Sequence, residues 1–306
     1  MIHLHWHSHY SLLDAVGTPD KIVEKASEYN MSAIAITDYA WMYGAVEFYE
    51  TATKAWIKPI IWIEIPVVYE MNNQDAWIVQ NIVLIAKDND WYQNLMELTS
   101  YSHLQNPKSF PKIDIAKLKQ HSKWLIWIMW WANSKIWNMI INKEDDNKIK
   151  ETIQMYKEIF EWNFYLEVIC QNESKLENIK DINQKVIELA SQLEITLIVG
   201  NEYTYINQED KEAYEVLLCI KDNAKYLKSF VKWDYHIFQE NEVYDTMEKN
   251  WYSKEFIKTL IDNNQKVADL VTLELPIWKI FFPKYESPQN IKEIYEKYKD
   301  QLIEND

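Results

Sequence analysis

The sequence predicts an α/β fold, a parallel sheet closed into a barrel with its helices outside. Three observations carry that expectation. Short apolar, strand-like runs alternate with amphipathic helical runs along most of the 306 residues. The length suits one large α/β barrel plus an appendage, or two ordinary domains. Polar residues recur where the strands end, at His5, His7, Asp38, Glu64, Glu167 and Glu202. In a (β/α) barrel the strand C-termini form the active-site face, so such residues would converge there. Taken singly, each reads as a solvated loop acid or a satisfied buried group; in register with successive strands, they read as a set.

The first expected strand is Ile2-His3-Leu4-His5-Trp6-His7-Ser8, followed by His9-Tyr10-Ser11-Leu12-Leu13-Asp14. Strand side chains alternate, so His3, His5 and His7 should share one face and Leu4 and Trp6 the other, a metal-ligand geometry. Four of the seven histidines fall within the first nine residues, which favours a site over a merely polar strand face.

Thr18-Pro19-Asp20 then reads as a helix cap, a first-turn proline and a first-turn acid, opening a helix through Ile22, Val23, Ala26 and Tyr29. Residues 32–37 form a buried strand, 45–55 a helix and 57–68 a strand carrying Glu64. Strand 81–86 and a helix around 91–101 follow. Helix 114–121, strand 125–129, helix 147–160, strand 164–169, helix 176–193 and strand 196–199 continue the alternation. Residues 239–249 and 254–270 read as helices. A proline-punctuated connector, Leu275-Pro276-Ile277-Trp278 to Phe281-Phe282-Pro283, leads to a charged amphipathic helix at 290–304.

Composition limits the function classes. The net charge of −15 argues against gripping a nucleic-acid backbone over most of the surface. All 32 basic residues are lysine, so the planar arginine fork that binds phosphate bidentately is missing. Any DNA grip would lie in a local lysine patch or outside this chain. Cys170 and Cys219 are too few for a disulfide framework and suit a reducing compartment. With no leader-like N-terminus and no apolar run of spanning length, a cytoplasmic protein away from the membrane is expected.

Glycine and tryptophan are out of proportion. Average usage of roughly 7% would give about 21 glycines; the chain has 3 glycines and 15 tryptophans. Trp56, Trp124 and Trp162 each stand between a helical run and the next strand, at the helix C′ position that strongly prefers glycine, and Asn30 fills the same slot after the first helix. The stretch 124–137 carries five tryptophans, including the pair Trp130-Trp131. The expectation is that the source reads UGA as glycine, so that many of these tryptophans arise from translation with UGA as tryptophan. A genuinely tryptophan-rich protein is the alternative.

These motifs give the chain a family resemblance. It resembles the N-terminal PHP (polymerase and histidinol phosphatase) region of the bacterial replicative DNA polymerase III alpha subunit. The carrying segments are the His-rich start through Asp14, Ala35-Ile36-Thr37-Asp38 leading to Gly44-Ala45-Val46-Glu47-Phe48-Tyr49, Ile57-Lys58-Pro59-Ile60-Ile61-Trp62, Leu84-Ile85-Ala86-Lys87-Asp88 before Trp91-Tyr92-Gln93-Asn94-Leu95, and Tyr214-Glu215-Val216-Leu217-Leu218. The family pattern has glycine where Trp56, Trp62, Trp91, Trp124 and Trp130 stand. The resemblance implies a distorted (β/α)7-type PHP barrel over residues 1–235, with a helical region and connector over 236–306 leading toward a polymerase body absent from this chain.

An intact PHP site in this family holds a multinuclear divalent-metal cluster for phosphoester hydrolysis. The matching positions are His5, His7, Asp14 and Glu64, with Glu202 in place of the usual aspartate. Tyr39, Asn81, Gln171 and Thr204 stand where the family has histidine, and Trp131 where it has cysteine. Phenol, amide and hydroxyl groups replace imidazole poorly around zinc-like or manganese-like ions. The resemblance therefore implies a degenerate site without catalytic residues, with no tightly bound cofactor and at most one weakly held Zn, Mn or Mg ion. It implies a structural module of a DNA-directed DNA polymerase that docks a proofreading exonuclease, with the polymerase body and replisome components as partners and DNA only indirectly so. No palm domain fits in this length, and the chain reads as an N-terminal fragment, a split gene or a truncated product. A stand-alone, histidinol-phosphatase-like PHP phosphoesterase is the alternative, and a metal-free scaffold acting alone is a third.

Overall fold

The computed structural model describes residues 1–68, 80–106, 110–122, 125–129, 134–161, 163–172, 178–224, 233–277, 279, 282 and 294–299. Trp124, Trp130, Trp131 and Trp162 lie outside these. The described elements run α1 (Pro19–Glu28), β1 (Ala33–Tyr39), α2 (Ala45–Lys54), β2 (Lys58–Val68), β3 (Gln80–Ile85), α3 (Asn89–Leu104), β4 (Ile113–Asp114), α4 (Ile115–His121), β5 (Ile126–Met129), α5 (Lys135–Ile141), α6 (Asp146–Phe160), β6 (Phe164–Ile169), α7 (Ile179–Leu193), β7 (Thr196–Gly200), α8 (Lys211–Lys221), α9 (Glu240–Lys249) and α10 (Lys254–Leu270). Most expected elements are present within a residue or two. Helices α5 and α8 are additions to the expected set.

The fold is α/β, one curled sheet flanked by helices. Its strand order is β1-β2-β3-β5-β6-β7, with β4 paired off this path onto β2. The expectation of an all-parallel sheet is corrected at one place: β3 runs antiparallel to both β2 and β5. The reversal has a geometric consequence. The first residues of β3 lie beside the last residues of β2, with Pro66 opposite Asn81, so the start of β3 reaches the end of the sheet where its parallel neighbours finish.

Residues 2–7 close the barrel between β1 and the segment after β7. On one side the Ala35 N–H donates to the His3 carbonyl (3.2 Å) and the Thr37 N–H to the Trp6 carbonyl (2.6 Å). On the other, the His7 N–H donates to Tyr203 (2.9 Å) and the Tyr203 N–H to His5 (3.3 Å). The three-residue step from His3 to Trp6 opposes a two-residue step on β1, from Ala35 to Thr37, and the Trp6 N–H goes to the Thr37 hydroxyl (3.3 Å) instead of a backbone carbonyl. That extra residue behaves as a bulge, which re-aims side chains. The expected common face of His3, His5 and His7 is therefore broken. His3 packs with Trp6 against Tyr203 and shares a hydrogen bond with the Phe238 carbonyl (2.7 Å), while His5 and His7 turn inward.

The compact unit spans Met1–Leu275, and α9 and α10 belong to it. Residues Val243, Met247, Ile257, Leu260 and Ile261 of those helices are buried with Ile22, Val23 and Ala26 of α1 in one apolar cluster. Asn264 ties α10 to the sheet, donating to the carbonyls of Ile2 (3.1 Å) and Val199 (2.7 Å). Pro276–Asp306 forms a separate unit, in which 294–299 are helical. No helix among the described residues is long and apolar enough to cross a membrane.

Helix ends explain two of the tryptophans. At the end of α2, the Trp56 N–H donates to Thr53 and the Ile57 N–H to Ala52; at the end of α9, the Trp251 N–H donates to Glu248 and the Tyr252 N–H to Met247. Both pairs are Schellman closures, which put the C′ residue in the left-handed region. Trp56 has φ 59° and Trp251 φ 69°. Their indoles are 94% and 81% exposed, so they gain almost nothing from burial. Asn30 has the same closure with φ 53°. Because a left-handed L-residue costs roughly 1–2 kcal/mol and glycine escapes that cost, Trp56→Gly and Trp251→Gly should each stabilise the protein by about 1 kcal/mol. Urea denaturation measures this, and a lower midpoint for either variant would show that the indole contributes contacts.

Candidate metal centre

The polar residues converge where the barrel closes. Glu64 lies in β2 directly opposite Tyr39 at the end of β1, and Asn81 opens β3. Glu202 and Thr204 follow β7, and Gln171 follows β6. His5 Nε2 lies 3.0 Å from Glu64 Oε2, and His7 Nε2 lies 3.6 Å from the same oxygen and 3.4 Å from Glu202 Oε1. The imidazole rings of His5 and His7 meet edge-on at 4.8 Å.

The expected ligand positions divide into three groups. His5, His7 and Glu64 come together, one ligand atom from each lying within 4.8 Å of the others. Glu202 joins through His7 but is held by Tyr39, whose hydroxyl donates to its Oε1 at 2.5 Å. Asp14 is engaged elsewhere, in an ion pair with Lys221 of α8. Two of the expected replacements, Asn81 and Gln171, also have partners. Asn81 Nδ2 donates to Glu64 Oε1 at 2.6 Å. The Gln171 amide donates to Asn201 Oδ1 and to the Asp234 carbonyl, both at 2.7 Å. Thr204 is buried, and Trp131 lies outside the described residues.

Two further features of the site involve Glu167 and Asp38, both already read from the sequence as strand-end polar residues. Glu167 on β6 is 3% exposed, its Oε2 has no hydrogen-bond partner among the described residues, and its carboxyl fills the space above Gly200. A Cβ on Gly200 would lie 1.4 Å from Glu167 Oε1, so only glycine admits this carboxyl. Its place at a strand end was the available signal. The second feature is the anchoring of the loop that carries the histidines. The Asp38 carboxylate accepts from the Ser8 N–H (2.8 Å), the Ser8 hydroxyl (2.9 and 3.0 Å) and the Ser11 hydroxyl (2.8 Å), and Ser11 Oγ in turn accepts from the Tyr39 N–H (3.1 Å). Asp38 is a fastening group, with its oxygens already used.

Burial sets the electrostatics. It pushes the carboxyls of Glu64, Glu167 and Glu202 up to about 8; repulsion from Asp14 adds to the rise at Glu64, from Glu202 and Glu64 at Glu167, and from Glu64 and Asp14 at Glu202. The same desolvation brings His3 and His5 down to about 3, and holds His7, next to His5, well below its usual value. The imidazoles are therefore neutral and keep a lone pair for a cation. Neither ring nitrogen of His7 has a hydrogen-bond partner among the described residues, although the ring is fully buried. Ligands on a tetrahedral ion with bonds of about 2.0–2.2 Å sit about 3.3–3.5 Å apart. The 3.0 and 3.6 Å separations from Glu64 Oε2 to the two imidazoles bracket that spacing. The donor set could hold a divalent cation.

The family model of the PHP domain matches residues 3–171. This chain belongs to the PHP domain family. It is 36% identical over 233 residues to the DNA polymerase III subunit alpha of Borreliella burgdorferi, covering 73% of this chain and 20% of that protein. The same-named subunit of Chlamydia muridarum is 28% identical and covers 93% of this chain and 25% of that protein. The chain thus spans a fifth to a quarter of the length of these relatives. Among solved structures, an amidohydrolase from Chromobacterium violaceum superposes with a TM-score of 0.45 at 12% identity, over 67% of this chain and 87% of that one.

The buried groups make stability depend on pH. Each raised carboxyl holds a proton in the folded chain that the unfolded chain, near 4.5, has released, whereas each lowered imidazole lacks one that the unfolded chain, near 6.5, retains. Between these values the three glutamates offset His3, His5 and His7. Above 6.5 the glutamates act alone and stability falls as the pH rises toward 8; below 4.5 the histidines act alone and stability falls as the pH drops toward 3. Melting curves in EDTA should therefore show a plateau between those limits, with a shallower alkaline decline in Glu167→Gln. A midpoint that climbs steadily from pH 6.5 to 8 would contradict the assignment.

Proposed function

We propose that this chain is the N-terminal PHP region of a bacterial replicative DNA polymerase, the DNA polymerase III alpha subunit, and that it serves DNA replication as a structural and exonuclease-docking module. One observation carries the reading. Around His5, His7 and Glu64, the positions that would supply further ligands hold Tyr39, Asn81 and Gln171, each hydrogen-bonded into the protein. These hydrogen bonds support a site reduced to one cation in place of a multinuclear cluster. When bound, such an ion would act as a Lewis acid and lower the pKa of a coordinated water; the protein's own groups would hold it between two neutral imidazoles and one carboxylate.

In this reading residues 1–235 form the barrel, and residues 236–306 lead toward the polymerase body. The partners are that body, a proofreading exonuclease subunit and other replisome components, with DNA contacted indirectly and the complex in the cytoplasm. A stand-alone, histidinol-phosphatase-like phosphoesterase remains the competing reading, favoured by His5, His7 and Glu64 themselves. Purified protein assayed with a phosphodiester and a phosphomonoester should show no EDTA-sensitive turnover, and it should co-purify with the exonuclease subunit encoded by the same genome. Metal-dependent hydrolysis without exonuclease binding would reverse the choice.

We further propose that Trp56 and Trp251 are glycine in the native protein, UGA being read as glycine. The support is the left-handed backbone and the exposed indole at each. Trp62 adds a buried indole N–H without a partner among the described residues, at a cost of about 1–3 kcal/mol. Trp127 likewise has a buried indole N–H without a partner among the described residues, but its ring packs among Tyr156, Phe160 and Phe164. Peptide mass spectrometry of the protein from its source should find glycine at 56 and 251; UGG codons there would end the proposal.

A further inference from the structure

Resting on the PHP reading, we infer that the second partners of Glu64 and Glu202 fix the capacity of the site at a single divalent cation: Asn81 positions one carboxylate for ligation, and Tyr39 withdraws the other. The two carboxylates meet the same imidazole but are capped in opposite senses. Asn81 Nδ2 donates to Oε1 of Glu64, whereas the oxygen facing His5 and His7 is Oε2. The amide therefore binds the far oxygen and aims the near one at the imidazoles, as outer partners of metal ligands do. Tyr39 donates to Oε1 of Glu202, and this is the very oxygen that lies 3.4 Å from His7 Nε2. A cation bridging His7 and Glu202 through this oxygen would have to share it with the phenol proton.

The tyrosine ring adds volume to the block. It stacks on the His7 ring at 4.0 Å between centroids and 10° between planes, covering one face of the imidazole. The backbone fixes it there, since β1 pairs Tyr39 with Glu64 itself and the Tyr39 N–H is held by Ser11. Asp14, the remaining expected carboxylate, is ion-paired with Lys221. A second ion would thus find Glu202 capped, one face of His7 covered and Asp14 engaged, with Glu167 Oε2 the carboxylate oxygen nearby that has no hydrogen-bond partner among the described residues.

Titration of the complete, EDTA-stripped and dialysed chain with Mn²⁺ tests the inference, by calorimetry and by ion content after gel filtration, with melting curves to verify folding. The wild-type protein should bind one Mn²⁺. Asn81→Ala should still bind one, with affinity lowered on the order of 10- to 100-fold. Tyr39→Phe, which keeps the ring and removes the donor, and Tyr39→His, which adds a ligand atom, should show a second binding event; its appearance in either folded variant supports the inference. One Mn²⁺ in both variants overturns the role of Tyr39 while leaving the proposed function intact. Unchanged affinity in Asn81→Ala overturns the role of Asn81. A wild-type protein that takes no Mn²⁺ overturns the whole inference, and one that takes two or more overturns the reading of the site as reduced.

Discussion

The insertion of residues 2–7 between β1 and the segment after β7 is the contact on which the rest depends. It converts an open sheet into a closed one, satisfying backbone groups on both neighbours. It also delivers His5 and His7 to the closed end. The bulge within it separates those two imidazoles from His3, which is spent on the Phe238 carbonyl. Closure and site are one arrangement, because the hydrogen bonds that close the barrel also aim the histidines. Ser8, Ser11 and Asp38 then fasten the chain as it leaves.

That arrangement concentrates acids where water is excluded. Glu64, Glu167 and Glu202 are each less than a tenth exposed. Isolated buried carboxylates are costly, and proteins neutralise them with protons, partners or metal. Protons and partners both contribute in this barrel, since Asn81 and Tyr39 donate to two of the three acids and Gly200 makes room for the third. Buried acids in this barrel are thus held by hydrogen-bond donors and by space left for them, as well as by protons.

Much of this was legible in the sequence because it rests on residue type and spacing. The alternation of apolar runs placed most strands and helices. The His-x-His pattern, with Glu64 on a later strand, marked the site. What escaped depended on three-dimensional detail. The bulge follows from the Thr37 hydroxyl capturing the Trp6 N–H, which no periodicity reveals. The antiparallel course of β3 lies in its pairing with β2 and β5, which the alternation of apolar runs does not distinguish from a parallel one. Helix α5, at seven residues, is too short to develop a clear period, and α8 follows the polar turn at Gln208–Asp210 without a strand to pair it with. Tyr39 and Asn81 both stand out in the sequence as substitutions. Their opposite effects lie in which carboxylate oxygen each one binds, and sequence does not encode oxygens separately.

Barrel closure by the first residues also has a consequence for the order of events in folding. The His3 ring meets the Phe238 carbonyl across 235 residues, and Asn264 reaches the Ile2 carbonyl across 262. During synthesis the opening segment can pair with β1 early, yet its other edge stays unpaired until Tyr203 has been made, and the anchors at Phe238 and Asn264 come later still. Contacts of such separation form late and leave a strand edge open meanwhile. The segment that identifies the family is thus made before its later partners and secured only after them, and the vulnerable interval for this fold is the wait between the two.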